Sequence, residues 1–145
     1  MFRSWVLPAL LLVMPQLLVG FAYERFLGQR SDYLGHFLAG FGGTLGAVTI
    51  AAWGIPRARY VQLVGGVVVA VVVACIALGA VLEQTLYHIA KWDEVDFCNQ
   101  SLGAVLAGLA ALAGAGAPGQ RLGWTLGSAA WAGAVLLGGY YFAFR

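Results

Sequence analysis

Charge is scarce in this chain: Asp, Glu, Lys and Arg make up 10% of its 145 residues, and five long stretches hold none of them. Residues 4–23, 37–56, 60–82, 97–120 and 122–144 are free of all four types, and each is about the 20 residues that cross a bilayer as a helix. An apolar fraction of 61% and a mean hydropathy of +0.85 lie outside the range of soluble domains. No stretch between the runs is long enough to form a soluble domain of its own. A basic stripe is also missing: the eight basic residues are scattered singly through the loops, which excludes nucleic acid as a partner despite a pI near 8.7. There are only two cysteines, too few for a disulfide framework. Cys75 lies midway along the third run and Cys98 at the start of the fourth, so their depths are incompatible with a bond and both are expected as free thiols. No HExxH-type ligand motif, no broken inverted repeat and no midplane charge is present, which argues against a tight metal site and against transport.

What is there is an all-α, polytopic membrane helix bundle of five transmembrane helices, expected near residues 5–23, 33–53, 60–87, 97–117 and 122–144 and forming one domain, 1–145. The acids are absent from one end of it. With an odd number of crossings, Glu24, Asp32, Glu83, Asp93, Glu94 and Asp96 share one membrane face with His36 and His88, while Arg3, Arg57, Arg59 and Arg121 hold the other. Basic residues divide four and four, so the positive-inside rule decides little by count. Arg3 directly before the first run, and a short Arg57/Arg59 loop without acids, favour a cytoplasmic N-terminus and a polar face outside the bacterial cytoplasmic membrane. The first run also has signal-peptide features, ending in Gly20-Phe21-Ala22, but is expected to be retained.

Aromatic residues agree with this layout, since Trp and Tyr concentrate at headgroup depth. Trp5, Trp53, Tyr60 and Trp124 fall at one face; Tyr23, Tyr33, Tyr87, Trp92, Tyr140 and Tyr141 fall at the other. Trp131 alone sits at mid-depth, where its ring is expected to pack between helices with its N–H near a carbonyl. Pro8 and Pro15 should bend the first helix, with neighbours satisfying the freed carbonyls. Small residues at four-residue spacing, Gly42/Gly46, Gly103/Ala107/Ala111/Ala115 and Gly123/Gly127, are expected to bring backbones close within the bundle, with a homo-oligomer as the other use of such ridges.

The polar face carries the candidate site. Asp32 and His36 are four apart at the start of the second helix and project from one side of it. An N-cap explains Asp32 equally well, but not an imidazole one turn deeper. Glu83 ends a long apolar run, where a carboxylate needs a partner, a proton or water; His36 is the expected partner. Asp93, Asp96 and Gln100, spaced three and four apart, line one side of the fourth helix's first turns, near its positive dipole end. Capping is enough for Glu94 and is an alternative for Asp93, but it is less adequate for the repeated spacing.

Together, Asp32-Tyr33-Leu34-Gly35-His36-Phe37, Glu83, and Asp93-x-x-Asp96-x-x-x-Gln100-x-x-Gly103-Ala104 resemble the elements of the VanZ-like family of small bacterial membrane proteins, over about half the chain. Gln100 stands where that family has Asn, Leu86 where it commonly has Gln, and Lys91 where it has a basic residue before the double-Asp element. The resemblance implies a helical bundle with a polar extracytoplasmic cluster, linked in that family to tolerance of lipoglycopeptide antibiotics. It implies no reaction.

Three functions follow from these residues. The first is binding of a lipid headgroup, an envelope precursor or a glycopeptide-type antibiotic by Asp32, His36, Glu83, Asp93, Asp96 and Gln100, a set suited to hydroxyl, amine or cation rather than phosphate. The second is an accessory or structural subunit of a larger membrane complex, with the cluster locking helices two to four. The third is a membrane hydrolase or transferase using paired carboxylates as general base and acid. No cofactor is expected; a divalent metal on Asp32, His36, Glu83 and Asp96 is chemically feasible.

Overall fold

In a computed structural model the described residues, 3–26, 28, 31–85, 93–115 and 121–143, are helical almost throughout and include no strand. The elements are α1 (Arg3–Phe26), α2 (Ser31–Trp53), a single 3₁₀ turn (Arg57–Arg59), α3 (Tyr60–Thr85), α4 (Glu94–Ala115) and α5 (Arg121–Ala143). In lipid a chain must satisfy its backbone internally, and uninterrupted helix is how these apolar runs do so. Four of the helices, α1 to α4, are long and apolar enough to cross a membrane. With 23 residues, and so roughly 34 Å of length, α5 matches them.

Turn residues set the ends. Gly28, two residues beyond α1, adopts a left-handed φ of 67°, a conformation that costs side-chain-bearing residues steric energy. At the far end of α2 the Gly54 and Ile55 N–H groups donate back to the carbonyls of Ala51 and Ala52, and the Arg59 N–H to that of Pro56, closing a tight connection to α3.

The central helix is α2, which packs most extensively on α4 and α5 and less on α3 and α1. Its direction relative to each is fixed by the close approaches of glycines. Gly103 of α4 lies against Phe37 and Phe41, and Val48 shares a cluster with Ala111, so α2 and α4 are parallel. Gly35 meets Ala143, Gly42 meets Leu136, and Thr49 shares a 3.0 Å hydrogen bond with Ser128, so α5 runs antiparallel to α2. Gly79 meets Gln100, and Gly108 meets Val72, so α3 runs antiparallel to α4. The up-and-down order brings the C-termini of α1, α3 and α5 to the same end as the N-termini of α2 and α4. That is the end with the acids.

Packing relies on small residues, as expected where lipid is as apolar as the helix surface. Phe37, Phe41 and Leu45 of α2 are fully buried against Ala107 and Ala110 of α4. Large side chains such as Leu17, Leu18, Phe21, Val61 and Leu137 point outward, where lipid replaces water as their surroundings. The ridges on α2 and α4 lie at helix contacts, but Gly127 has nothing within 4 Å, so the expected Gly123/Gly127 ridge makes no close approach there. Trp131 fulfils its expected role: Nε1–H donates to the Leu12 carbonyl at 2.8 Å, inside the turn that Pro15 disturbs. Both cysteines are free thiols.

Boundaries differ from expectation mainly at the polar end. There α1 runs to Phe26 rather than residue 23, α2 begins at Ser31 rather than 33, and α4 begins at Glu94 rather than 97. The polar first turn of α4, read as loop by hydropathy, is helical because the Asp93 side chain satisfies its exposed N–H groups. Residues 86, 87, 116, 117 and 144 of the expected helices lie outside the described residues.

Candidate functional site

The polar end is organised around α4. Asp93 precedes its first turn, and Oδ1 accepts from the backbone N–H groups of Val95 at 2.8 Å and Asp96 at 3.4 Å. This is an N-cap, so Asp93 has a structural task that fully accounts for it. The cap aims the next turn inward. Asp96 projects toward α2, where its Oδ2 stands 3.7 Å from His36 Nε2, a contact too long for a direct hydrogen bond. Both side chains are largely buried, 23% and 14% exposed respectively. The charges of His36, Asp93, Asp32 and Glu83 all act on Asp96, which makes it the electrostatic hub of this end.

On its other side Asp96 faces α1. Tyr23 is buried there, its ring centroid 6.1 Å from that of Tyr33, and its hydroxyl faces Asn99 without closing a hydrogen bond of good geometry. Among the described residues Tyr23 Oη, Asp96 Oδ1 and Asn99 Nδ2 are buried polar atoms with no partner. Burial without a partner costs about 1–3 kcal/mol per group, so several polar groups at this end are left to be satisfied by something other than these side chains.

A cavity of about 550 Å³ opens between α3 and α5, over the face of α2. It exists because α3 and α5 flank α2 without packing extensively on each other. Its polar end is formed by His36, Glu83, Gln100 and Tyr140. Below them the walls are apolar or small: Ala39, Gly43, Ala47, Leu78, Leu82 and Leu136, with Thr44 and Cys75 at mid-depth. From Gly35 to Ala47 along α2 the groove extends roughly 18 Å, more than half the hydrocarbon thickness of about 30 Å.

Glycines shape its polar end. A Cβ on Gly79 would overlap the Gln100 side-chain amide, and one on Gly40 would overlap the Gln100 carbonyl. Gln100 is thereby clamped between α2 and α3, its long side chain reaching α3 because Gly79 leaves room. Gly35 and Gly139 bring α2 and α5 together at the same level; a Cβ on Gly35 would stand 2.6 Å from the Ala143 nitrogen. Glu83 is only 8% exposed and, among the described residues, makes no hydrogen bond or ion pair.

Of the six residues singled out from the sequence, His36, Glu83 and Gln100 line one cavity. Asp96 stands behind His36, Asp93 caps α4, and Asp32 lies at the start of α2, within electrostatic range of Asp96 but outside the cavity. The expected Glu83–His36 ion pair is not formed; His36 turns to Asp96, which shares its level on the parallel neighbour α4. Asp32, His36, Glu83 and Asp96 do not converge as metal ligands: no three His, Cys, Asp or Glu side chains do so among the described residues. His88, Tyr87, Lys91 and Trp92 lie outside those residues. Sequence reading missed Tyr23, read as a headgroup-level aromatic, and Asn99, Thr44 and Tyr140. Thr44 and Asn99, polar residues within apolar runs, were the available signal.

Comparison of the chain with protein-family models, curated proteins and solved structures gives no match.

Proposed function

We propose that this membrane protein binds an amphiphile in the groove between α3 and α5, its polar head at His36, Glu83 and Gln100 and its chain along the apolar wall below. The observation that carries this reading is the combination of a polar end and an apolar, membrane-depth wall within one cavity of about 550 Å³, a size typical of small-ligand sites. A head alone would leave the lower groove empty, and a purely apolar chain would leave Glu83 and Gln100 unsatisfied. An amphiphile entering sideways from the bilayer satisfies both. His36 is held toward the head by Asp96, and Asp96 by the cap that Asp93 provides. The motif resemblance to VanZ-like proteins supports placing this end outside the cytoplasmic membrane, which sets the N-terminus inside.

The test is lipid retention. Gly43 lines the groove, and its nearest contact for an added Cβ is Leu136 Cδ2 at 4.0 Å, so Gly43→Leu fills the groove without forcing helices apart. Native mass spectrometry of gently extracted wild-type protein should show a one-to-one lipid adduct that Gly43→Leu lacks. Equal retention by the two proteins refutes the groove as a binding site and favours the accessory-subunit reading.

A further inference from the structure

Glu83 fixes what kind of head the groove takes. It is more than nine-tenths buried, lines the cavity, and has no hydrogen bond or ion pair among the described residues. His36, on the same wall, has the Asp96 carboxyl directly behind it at 3.7 Å. No Lys or Arg is among the described lining residues. The polar end therefore presents, among the described residues, one carboxyl group with no cation beside it in a low-dielectric wall. Burying such a charge is unfavourable without a counter-charge, and an incoming cation restores the balance. An anionic head would add like charge beside it.

Resting on the groove reading, we infer that the occupant is an amphiphile with an ammonium head: the amine pairs with Glu83, the Gln100 side-chain Oε1 accepts a further N–H, and the chain descends past Gly43 and Thr44. Phosphorylated lipids without an amine are selected against. Tyr140, at the α5 rim of the same end, offers a ring face for cation–π contact with the head.

The experiment titrates hexadecylamine and hexadecyl phosphate, separately, into purified full-length protein in maltoside micelles at pH 7, reading the one-to-one adduct by native mass spectrometry. Wild-type protein should bind the amine at least about tenfold more tightly than the phosphate, a gap of about 1.4 kcal/mol. Glu83→Gln should bring the two within about twofold, while Gly43→Leu should lose both. A wild-type preference for the phosphate, or none, overturns the charge assignment, and so does an amine preference that survives Glu83→Gln. In those cases loss of binding in Gly43→Leu still upholds the groove, whereas unchanged adducts in that variant sink both readings. Should Glu83→Gln not fold, the wild-type ratio alone decides. A stable dimer that takes up neither amphiphile shows a second copy in the groove and likewise overturns the inference.

Discussion

Replacing Gly103 by alanine tests a close backbone-to-backbone contact between α2 and α4. Its added methyl group would overlap the Phe37 carbonyl oxygen and stand 2.7 Å from the Phe41 nitrogen, both backbone atoms that no rotamer change can move. Ordinary contact begins near 3.4 Å, so α2 and α4 must separate by at least about 0.7 Å. A radial gap of that size forfeits roughly a quarter to a half of each dispersion contact along the shared seam of Phe37, Phe41, Leu45, Ala107 and Ala110. The expected loss is about 1–3 kcal/mol, the usual range for overpacking. Gly127→Ala is the control, because nothing lies within 4 Å of a methyl group there. Both changes gain similarly in helix propensity, about 1 kcal/mol, so their difference isolates the clash. Reversible unfolding in mixed micelles of dodecyl sulfate and a mild detergent gives the two free energies. If Gly103→Ala proves as stable as Gly127→Ala to within about 0.5 kcal/mol, the close α2–α4 contact is wrong.

Three further outcomes are expected. Asp93→Ala removes the cap on α4 and should cost about 1 kcal/mol in the same unfolding assay, with Asp93→Ser recovering most of it. Trp131→Phe keeps the ring but loses the 2.8 Å hydrogen bond to the Leu12 carbonyl, and should cost about 0.6 kcal/mol, the average for such bonds between membrane helices. With the N-terminus cytoplasmic, the exposed thiol of Cys98 at the polar end should react in intact cells with a membrane-impermeant maleimide, and the groove thiol of Cys75 should not; labelling of Cys98 only after lysis would reverse the orientation.

Much of the fold is legible in the sequence because the bilayer imposes one requirement on every segment. A charge-free run of about 20 residues must be helix, and its ends must carry the polar groups. That logic places the helices, gathers the acids at one end, and assigns Trp131 to a carbonyl. It fails at the polar first turn of α4, where the Asp93 cap rather than hydropathy sets the boundary, and at Gly127, where spacing identical to that of Gly103 and Ala107 meets no neighbour. Spacing shows which residues share a helix face but not which way the face turns.

The site divides in the same way. That His36, Glu83 and Gln100 belong to one end follows from counting crossings, a constraint of the chain alone. That His36 pairs with Asp96 and not Glu83, and that Glu83 has no partner among the described residues in a groove reaching to mid-depth, depend on the parallel seating of α4 on α2 and the gap between α3 and α5. Those are decided by glycines such as Gly40, Gly79 and Gly103, whose missing side chains set how near each helix comes to its neighbour, a property of two surfaces together and of neither strand of sequence by itself.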